Sequence, residues 1–255
     1  MTIKKPKVSW LISTYNNESQ IERCLNSVLN QTLKDFEIII VNDGSDDNTP
    51  QILEEIYLRN KSFIKVLEND KNMGLAYSLN KAYKHARGIY LARLDADDIA
   101  IENRLEEQLK IIESNPKISI VGTRAFFINN LGDIIGESEM KIYEKSLIKP
   151  KSFIYALNII HPSVLMRKEF LFNIGLYDNT LRRAQDLDLW LRATNQNYEF
   201  FIIDKPLIFY KKTNYKFKKS LIIFFYSLFI TYKNKCFLKL FFWNLISLCL
   251  NIFKN

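Results

Sequence analysis

Residues 93–98, "RLDADD", place three carboxylates within four positions: Asp95, Asp97 and Asp98. The residues just before them, "GIYLA", read as a buried strand. Like charges crowded at a strand end repel each other at neutral pH, so a cation or ligand is expected to compensate them. Cap and turn chemistry accounts for one aspartate ahead of a helix but poorly for three. Mg²⁺ and Mn²⁺ take oxygen ligands, commonly one or two carboxylates plus substrate phosphates. An Asp-x-Asp at a strand end supplies that charge and leaves coordination positions open, which suits a metal clamping a diphosphate. The segment lacks the twelve-residue loop and closing glutamate of an EF-hand.

Two further loops carry chemistry. In "STYNNE", Tyr15 directly follows an apolar run, so its ring stands at the ligand edge of a strand, either as a stacking face for a base or as a plain rim tyrosine. In "VNDGSDDN", Asp43 follows a second apolar run and precedes Gly44. A carboxylate there either accepts a hydrogen bond from a base N–H or closes an Asx-turn.

These loops need a scaffold, and strand and helix patterns alternate around them. "KVSWLIS", "FEIIIV", "FIKVLE", "IYLARL" and "ISIVG" read as strands. Between them lie helical patterns: "ESQIERCLNSVLNQ"; "QILEEIYLRN", with Thr49 as N-cap before Pro50; "GLAYSLNKAYKHA", closed by Gly88; and "NRLEEQLKIIES", stopped by Pro116. That alternation implies an α/β fold, with a mostly parallel sheet covered by helices on both faces. Ligands on such sheets bind beyond the carboxyl ends of the strands, where the three loops lie. After residue 122 the pattern loosens. "AFFINNLGDIIGE" reads as a hairpin turning at Leu131-Gly132-Asp133, and "HPSVLMRKEF" as a strand running into a helix. "GLYDNTLRRAQDLDLWLRATN" reads as a loop and then a helix with Leu187, Trp190 and Leu191 on one face.

Base, diphosphate and metal together describe a nucleotide-activated group. The stretches "VSWLISTYNNE", "FEIIIVNDGSDDNT", "NMGLAYSLNKAYKHARGIYLARLDADD", "NRLEEQL", "HPSVLMRK" and "AQDLDLWLR" resemble glycosyltransferase family 2, in the family's order, across about residues 7–210. The resemblance implies a GT-A, Rossmann-like fold and inverting transfer from a nucleotide sugar, favouring a UDP-sugar, with Mn²⁺ or Mg²⁺ as cofactor. It also implies roles. Tyr15 and Asp43 would hold the base, with Ser13 beside it; Asp95 would face the ribose or sugar; Asp97 would bind metal and diphosphate; Asp98 would support the loop. Asp186 would be the base that deprotonates the acceptor hydroxyl, expected to stay ionised in the dipole field where its helix begins. The family often has Glu before that Asp, where this chain has Gln185, so its acceptor contacts are expected to differ. His161 reads as structural or acceptor-side rather than as a metal ligand. Arg93 and Arg104 flank the aspartates and are expected to pair with them, and Asp188 with Arg192 as a helix-surface ion pair.

Other classes fit less well. In a haloacid-dehalogenase-type phosphohydrolase the Asp-x-Asp follows the first strand, with Thr or Val two places on; here it follows the fourth and Ile99 holds that place. The Gly-rich N-terminal loop of a sugar-nucleotide pyrophosphorylase is missing. Three scattered cysteines, Cys24, Cys236 and Cys249, form neither a disulfide framework nor a zinc motif and suit a reducing cytosol. The N-terminus has only a short apolar run and no small-residue cleavage site, so it does not read as a signal peptide.

The net charge of +8 is uneven: residues 211–255 carry nine lysines and no acid. The body is therefore near neutral, which argues against nucleic acid as partner. The expected organisation is a catalytic region over 1–210, its nucleotide-binding half at 1–122 and acceptor half at 123–210, followed by the basic tail. "LIIFFYSLFI" and "CFLKLFFWNLISLCLNIF" suit amphipathic helices at an anionic membrane surface. Read alone, the tail would also suit a non-catalytic membrane-surface module. The expected location is the cytoplasmic face of the cell membrane, near a saccharide or lipid-linked acceptor.

Overall fold

The computed structural model describes residues 5–138, 147–148, 159–212, 230 and 232–233. The first half alternates as expected: β1 (Val8–Thr14), α1 (Ile21–Leu29), β2 (Phe36–Asn42), α2 (Thr49–Arg59), β3 (Ile64–Glu68), α3 (Leu75–His85) and β4 (Tyr90–Arg93). A short β5 (Ile99–Ala100) and α4 (Arg104–Ser114) follow, then β6 (Ile118–Ile128) and β7 (Ile134–Glu137). The chain continues with β8 (Leu147–Ile148), a 3₁₀ turn at His161–Ser163, β9 (Leu165–Arg167), α5 (Lys168–Asn173), α6 (Gln185–Asn195) and β10 (Glu199–Lys211).

Among the described residues the strands form one sheet in the order β3-β2-β1-β4-β9-β6-β10-β5, with β7 on β6 and β8 on β10. β1–β4 pair in parallel. Beyond β4 the sheet is mixed, because β9 runs antiparallel to both β4 and β6. The sheet separates two cores, and alternate strand residues supply each. Trp10, Ile12, Ile38 and Ile40 meet α1, α2 and α4 on one face. Leu11, Ile39 and Val41 meet α3, α5 and α6 on the other. Each such side chain contributes about 1.5–3 kcal/mol when fully buried.

Several local expectations need correcting. Thr49 is the first helical residue, with Asn48 before it, and the Asp47 carboxylate accepts the Thr49 N–H at 2.9 Å. Gly88 is not a helix stop, since α3 ends at His85. A Cβ there would stand 2.6 Å from the Ser9 backbone nitrogen, so it permits the close approach of β1. α6 buries two sides rather than one: Trp190 and Leu189 enter the sheet core, whereas Leu191 and Leu187 pack with Ile230. The hairpin forms as read, with Gly132 at φ 92°. Lys211, counted with the tail, ends β10. Of the tail helices only Ile230, Tyr232 and Lys233 are described; the rest of that reading lies outside the described residues. Among these, no helix is long and apolar enough to cross a membrane.

Candidate active site

The nucleotide-side loops are bound to each other. Asn16, in the left-handed region at φ 53°, donates through its amide to Asp46 (2.7 Å) and accepts from the Asp46 N–H (3.1 Å). The Glu18 N–H donates to Asp47 (3.1 Å), and the Glu18 carboxylate accepts both the N–H and the side-chain amide of Asn48. These bonds fix the end of β1, where Ser13 is half-buried, and leave Tyr15 projecting with 43% of its surface exposed. The ring is free to stack.

Asp43 is buried and already heavily engaged. One carboxylate oxygen accepts from the Asn69 amide (2.7 Å) and the Met73 N–H (2.8 Å), the other from the Gly74 N–H (2.8 Å). It therefore staples loop 69–74 beside the site. The second oxygen keeps acceptor capacity for a further N–H. Gly74, at φ 94°, lies under Arg182, whose Nη1 would stand 2.9 Å from an added Cβ. The loop that carries Arg182 thus reaches across to the start of α3.

The carboxylate loop lies between β4 and β5. From below, α1 holds it through Cys24 Sγ to the Asp95 carbonyl (3.3 Å) and Ser27 Oγ from the Ala100 N–H (3.0 Å), and Gln31, just past the end of α1, donates to the Ile101 carbonyl (2.8 Å). Asp98 is buried; one oxygen accepts the Lys211 N–H at 2.8 Å, and the other has no partner among the described residues. Burial, then Asp95, pushes its carboxyl well above the usual range. Asp97 is half-buried and likewise raised by burial and Asp95, with Lys211 pulling the other way. Lys211 is thus a charge of the site that the sequence placed in the tail. The strand alternation running through "PLIFYK" is the signal that could have found it.

A divalent cation fits this loop. An orphaned buried carboxylate oxygen costs about 1–3 kcal/mol, and carboxylates such as Asp97 and Asp98, raised by burial and a neighbouring acid, gain from a cation beside them. Among the described residues no three His, Cys, Asp or Glu side chains form a ready metal cage. Asp97 would therefore hold the ion together with oxygens of a bound diphosphate, as Mg²⁺ and Mn²⁺ sites commonly do.

The two arginines behave differently. Arg93, 2% exposed, forms an ion pair with Asp95 through Nη2. Burial works against its charge, and Asp95, with Tyr177 and Asp98 adding to it, more than offsets that. Its Nε and Nη1 have no partner among the described residues. Arg104, expected to pair with the aspartates, does not. It is fully buried over the Trp10 ring, 5.0 Å to the centroid, and donates to the carbonyls of Arg93 (2.8 Å) and Val164 (3.2 Å). It ties the end of β4 to β9. Burial lowers its pKa to about 9, which leaves it protonated at neutral pH.

Residues of the second half lie near Arg93. His161 Nε2 bonds the Tyr177 hydroxyl at 2.9 Å, and the His161 ring packs edge-on to Trp190. Burial and Arg93 hold His161 neutral. Tyr177, which the sequence reading passed over, is raised by burial and feels Arg93, Asp186 and Asp95. Asp186 lies in the first turn of α6 and accepts the Leu187 N–H at 2.8 Å. Burial raises its pKa, with the Leu187 bond and Arg93 opposing and Asp95 adding to the rise. This reverses the expectation from the helix dipole: burial outweighs it, and the carboxylate is a stronger base than an exposed aspartate. The neighbouring Gln185 keeps its Oε1 buried and unpartnered among the described residues. The Asp188–Arg192 pair forms at 2.8 Å, but Asp188 is fully buried rather than on the surface.

The structure thus brings Asp95, Arg93, Tyr177 and Asp186 to one place beyond the sheet, beside the Asp97–Asp98 turn. Comparison with known proteins identifies the family and the fold. The family model "Glycosyl transferase family 2" matches residues 9–175. "Uncharacterized glycosyltransferase MJ1057" of Methanocaldococcus jannaschii is 36% identical, covering 95% of this chain and 87% of its own length. "O-antigen biosynthesis glycosyltransferase WbnJ" of Escherichia coli is 28% identical over 86% of this chain and 84% of its own. Residues 1–349 of S. aureus TarS, solved in complex with UDP, superpose with a TM-score of 0.68 at 26% identity; the match covers 81% of this chain and 61% of that one. The fold is the GT-A fold, and the chain belongs to glycosyltransferase family 2.

Proposed function

We propose that this glycosyltransferase moves a sugar from a UDP-sugar to a hydroxyl of a saccharide or lipid-linked acceptor, with inversion and with a divalent metal. The observation that carries the reading is that Asp186 lies near enough to Arg93 and Asp95 of the carboxylate loop for both charges to act on its carboxylate. Tyr15 would stack on the base, Asp43 would take its N–H, and Ser13 would lie beside it. Asp95, fixed by Arg93, would face the ribose or sugar. Asp97 would hold Mn²⁺ or Mg²⁺, and the ion when bound would neutralise the diphosphate leaving group. Asp186 would take the acceptor proton, and its raised pKa suits that role near neutral pH. One base opposite the leaving group gives in-line attack. TarS, as crystallised with UDP, supports the donor class. WbnJ, described as an O-antigen enzyme, supports cell-surface glycan assembly.

The test is a panel of nucleotide sugars assayed with Mn²⁺, with EDTA and with the Asp97→Asn variant. UDP-sugar turnover should require the metal, and Asp97→Asn should remove it while the fold is kept, since the change relieves repulsion. Near-normal activity in Asp97→Asn or in EDTA would overturn the reading. We further propose that the tail holds the enzyme on the cytoplasmic face of an anionic membrane. Flotation with anionic vesicles tests this, and a full-length chain that stays at the bottom rejects it.

A further inference from the structure

The helix that carries Asp186 begins without the usual support. Ala184, just before it, is left-handed at φ 53°, a conformation that costs a residue with a Cβ, and no side chain caps the first turn. Left to itself such a start would relax. It is held instead from three other places. Asn80 on α3 donates to the Tyr177 carbonyl (2.8 Å) and to Asn179 (2.7 Å), and it accepts the Tyr177 N–H (3.1 Å). Arg192 spans from Asp188 to the carbonyls of Ile174 (2.5 Å) and Leu176 (2.8 Å).

The third support comes from the tail. Ile230 is fully buried against Leu181 of the loop and Leu191 of α6, with Ala184 and Leu187 packed beside them. Three residues on, Lys233 lies on the same side of its helix, while Tyr232 is 71% exposed. Lys233 Nζ reaches Asp178 at 2.5 Å and Asp188 at 3.7 Å. Asp178 follows Tyr177, and Asp188 stands two residues after Asp186. One ammonium therefore joins the two segments that bring Tyr177 and Asp186 to the site.

We propose that Lys233, seated by Ile230, is a positioning residue for the transfer reaction: it locks the loop at 176–184 onto α6 and so holds Asp186 in place. The tail then completes the catalytic half rather than only carrying it to a surface. This rests on the reading of Asp186 as the base.

The experiment uses the full chain with Lys233→Met and Lys233→Arg. It measures turnover of the UDP-sugar accepted by the wild type, UDP affinity by calorimetry, and amide hydrogen exchange by mass spectrometry. Lys233→Met should lower kcat about tenfold or more, as small misplacements of a catalytic group do. UDP affinity should not change. Exchange should quicken over residues 176–188 and stay as in the wild type over β2. Lys233→Arg should restore both kcat and protection. Unchanged exchange over 176–188, faster exchange throughout the chain, or loss of UDP affinity in step with kcat would each overturn the proposal. The exchange data judge the lock without reference to the base: if Asp186→Asn stays active while Lys233→Met loosens only 176–188, the base assignment fails and the lock stands.

Discussion

Residues 14–18 and 42–49, at the ends of β1 and β2, hold one another through side-chain bonds in which Asn, Asp, Glu, Ser and Thr meet nearby backbone. The segment 174–184 on the acceptor side has little of that. Its anchors are Asn80, about a hundred residues back, and Arg192 and Lys233 from two different helices. The first pair of loops is held both by short-range bonds, Ser45 to Asn42 and Thr49 to Asp47, and by direct bonds from one loop to the other. The second is tied chiefly to elements outside itself.

The largest effect that would separate the two regions is on the acceptor side. Asp186→Asn should lower kcat by about two to four orders of magnitude, the usual range for a lost general base, with UDP affinity intact. The pH profile sharpens it. Asp186 must be ionised to take a proton, and burial raises its pKa. Wild-type kcat should therefore be low on the acid side and climb as pH rises through a limb above the ordinary carboxylate range, and that limb should vanish in the variant. Turnover within tenfold of wild type, or a limb at the ordinary carboxylate position, would break the assignment.

A smaller effect is expected on the donor side, and it should be a mixed one. Asp43→Ala removes the acceptor of three N–H groups in a buried place, at about 1.5–3 kcal/mol for each charged bond. Both UDP affinity and the melting temperature should fall. Tyr15→Ala, on an exposed ring, should weaken UDP alone. Calorimetric titration and scanning on the two variants decide it; an Asp43→Ala protein that melts like the wild type would mean that loop 69–74 does not depend on this carboxylate.

The smallest effect returns to the acceptor side. Ala184→Gly removes a Cβ from a left-handed residue and should raise unfolding stability by about 1 kcal/mol. Urea unfolding that shows no gain would remove the argument that the start of α6 is strained.

Much of this was written in local pattern. The strands around Trp10, Ile38 and Leu91, the intervening helices and the hairpin at Gly132 follow from apolar period and turn residues, which act over a few positions. The loop positions of Tyr15, Asp43, Asp95, Asp97 and Asp98 were legible for the same reason: they lie in the loops that follow apolar strands, at the carboxyl edge of the sheet.

Other features depended on long-range packing. That β9 runs antiparallel between β4 and β6, and that β10 carries Lys211 back to Asp98, are pairings between segments far apart in the chain, and no local period encodes them. The direction in which the Asp186 pKa moves likewise depended on how much chain closes over it. Its place at a helix start suggested a lowered pKa, and burial beneath the acceptor side reversed the sign. Arg104 sits next to the aspartates in sequence yet turns to carbonyls beneath Trp10. Lys233 reads in the sequence as one more cation of a basic tail, and it meets Asp178 and Asp188 where Ile230 packs against Leu181 and Leu191. Apolar spacing declares that a residue will be buried; which distant surface buries it, and which charge it then meets, is decided by the packing of the whole molecule.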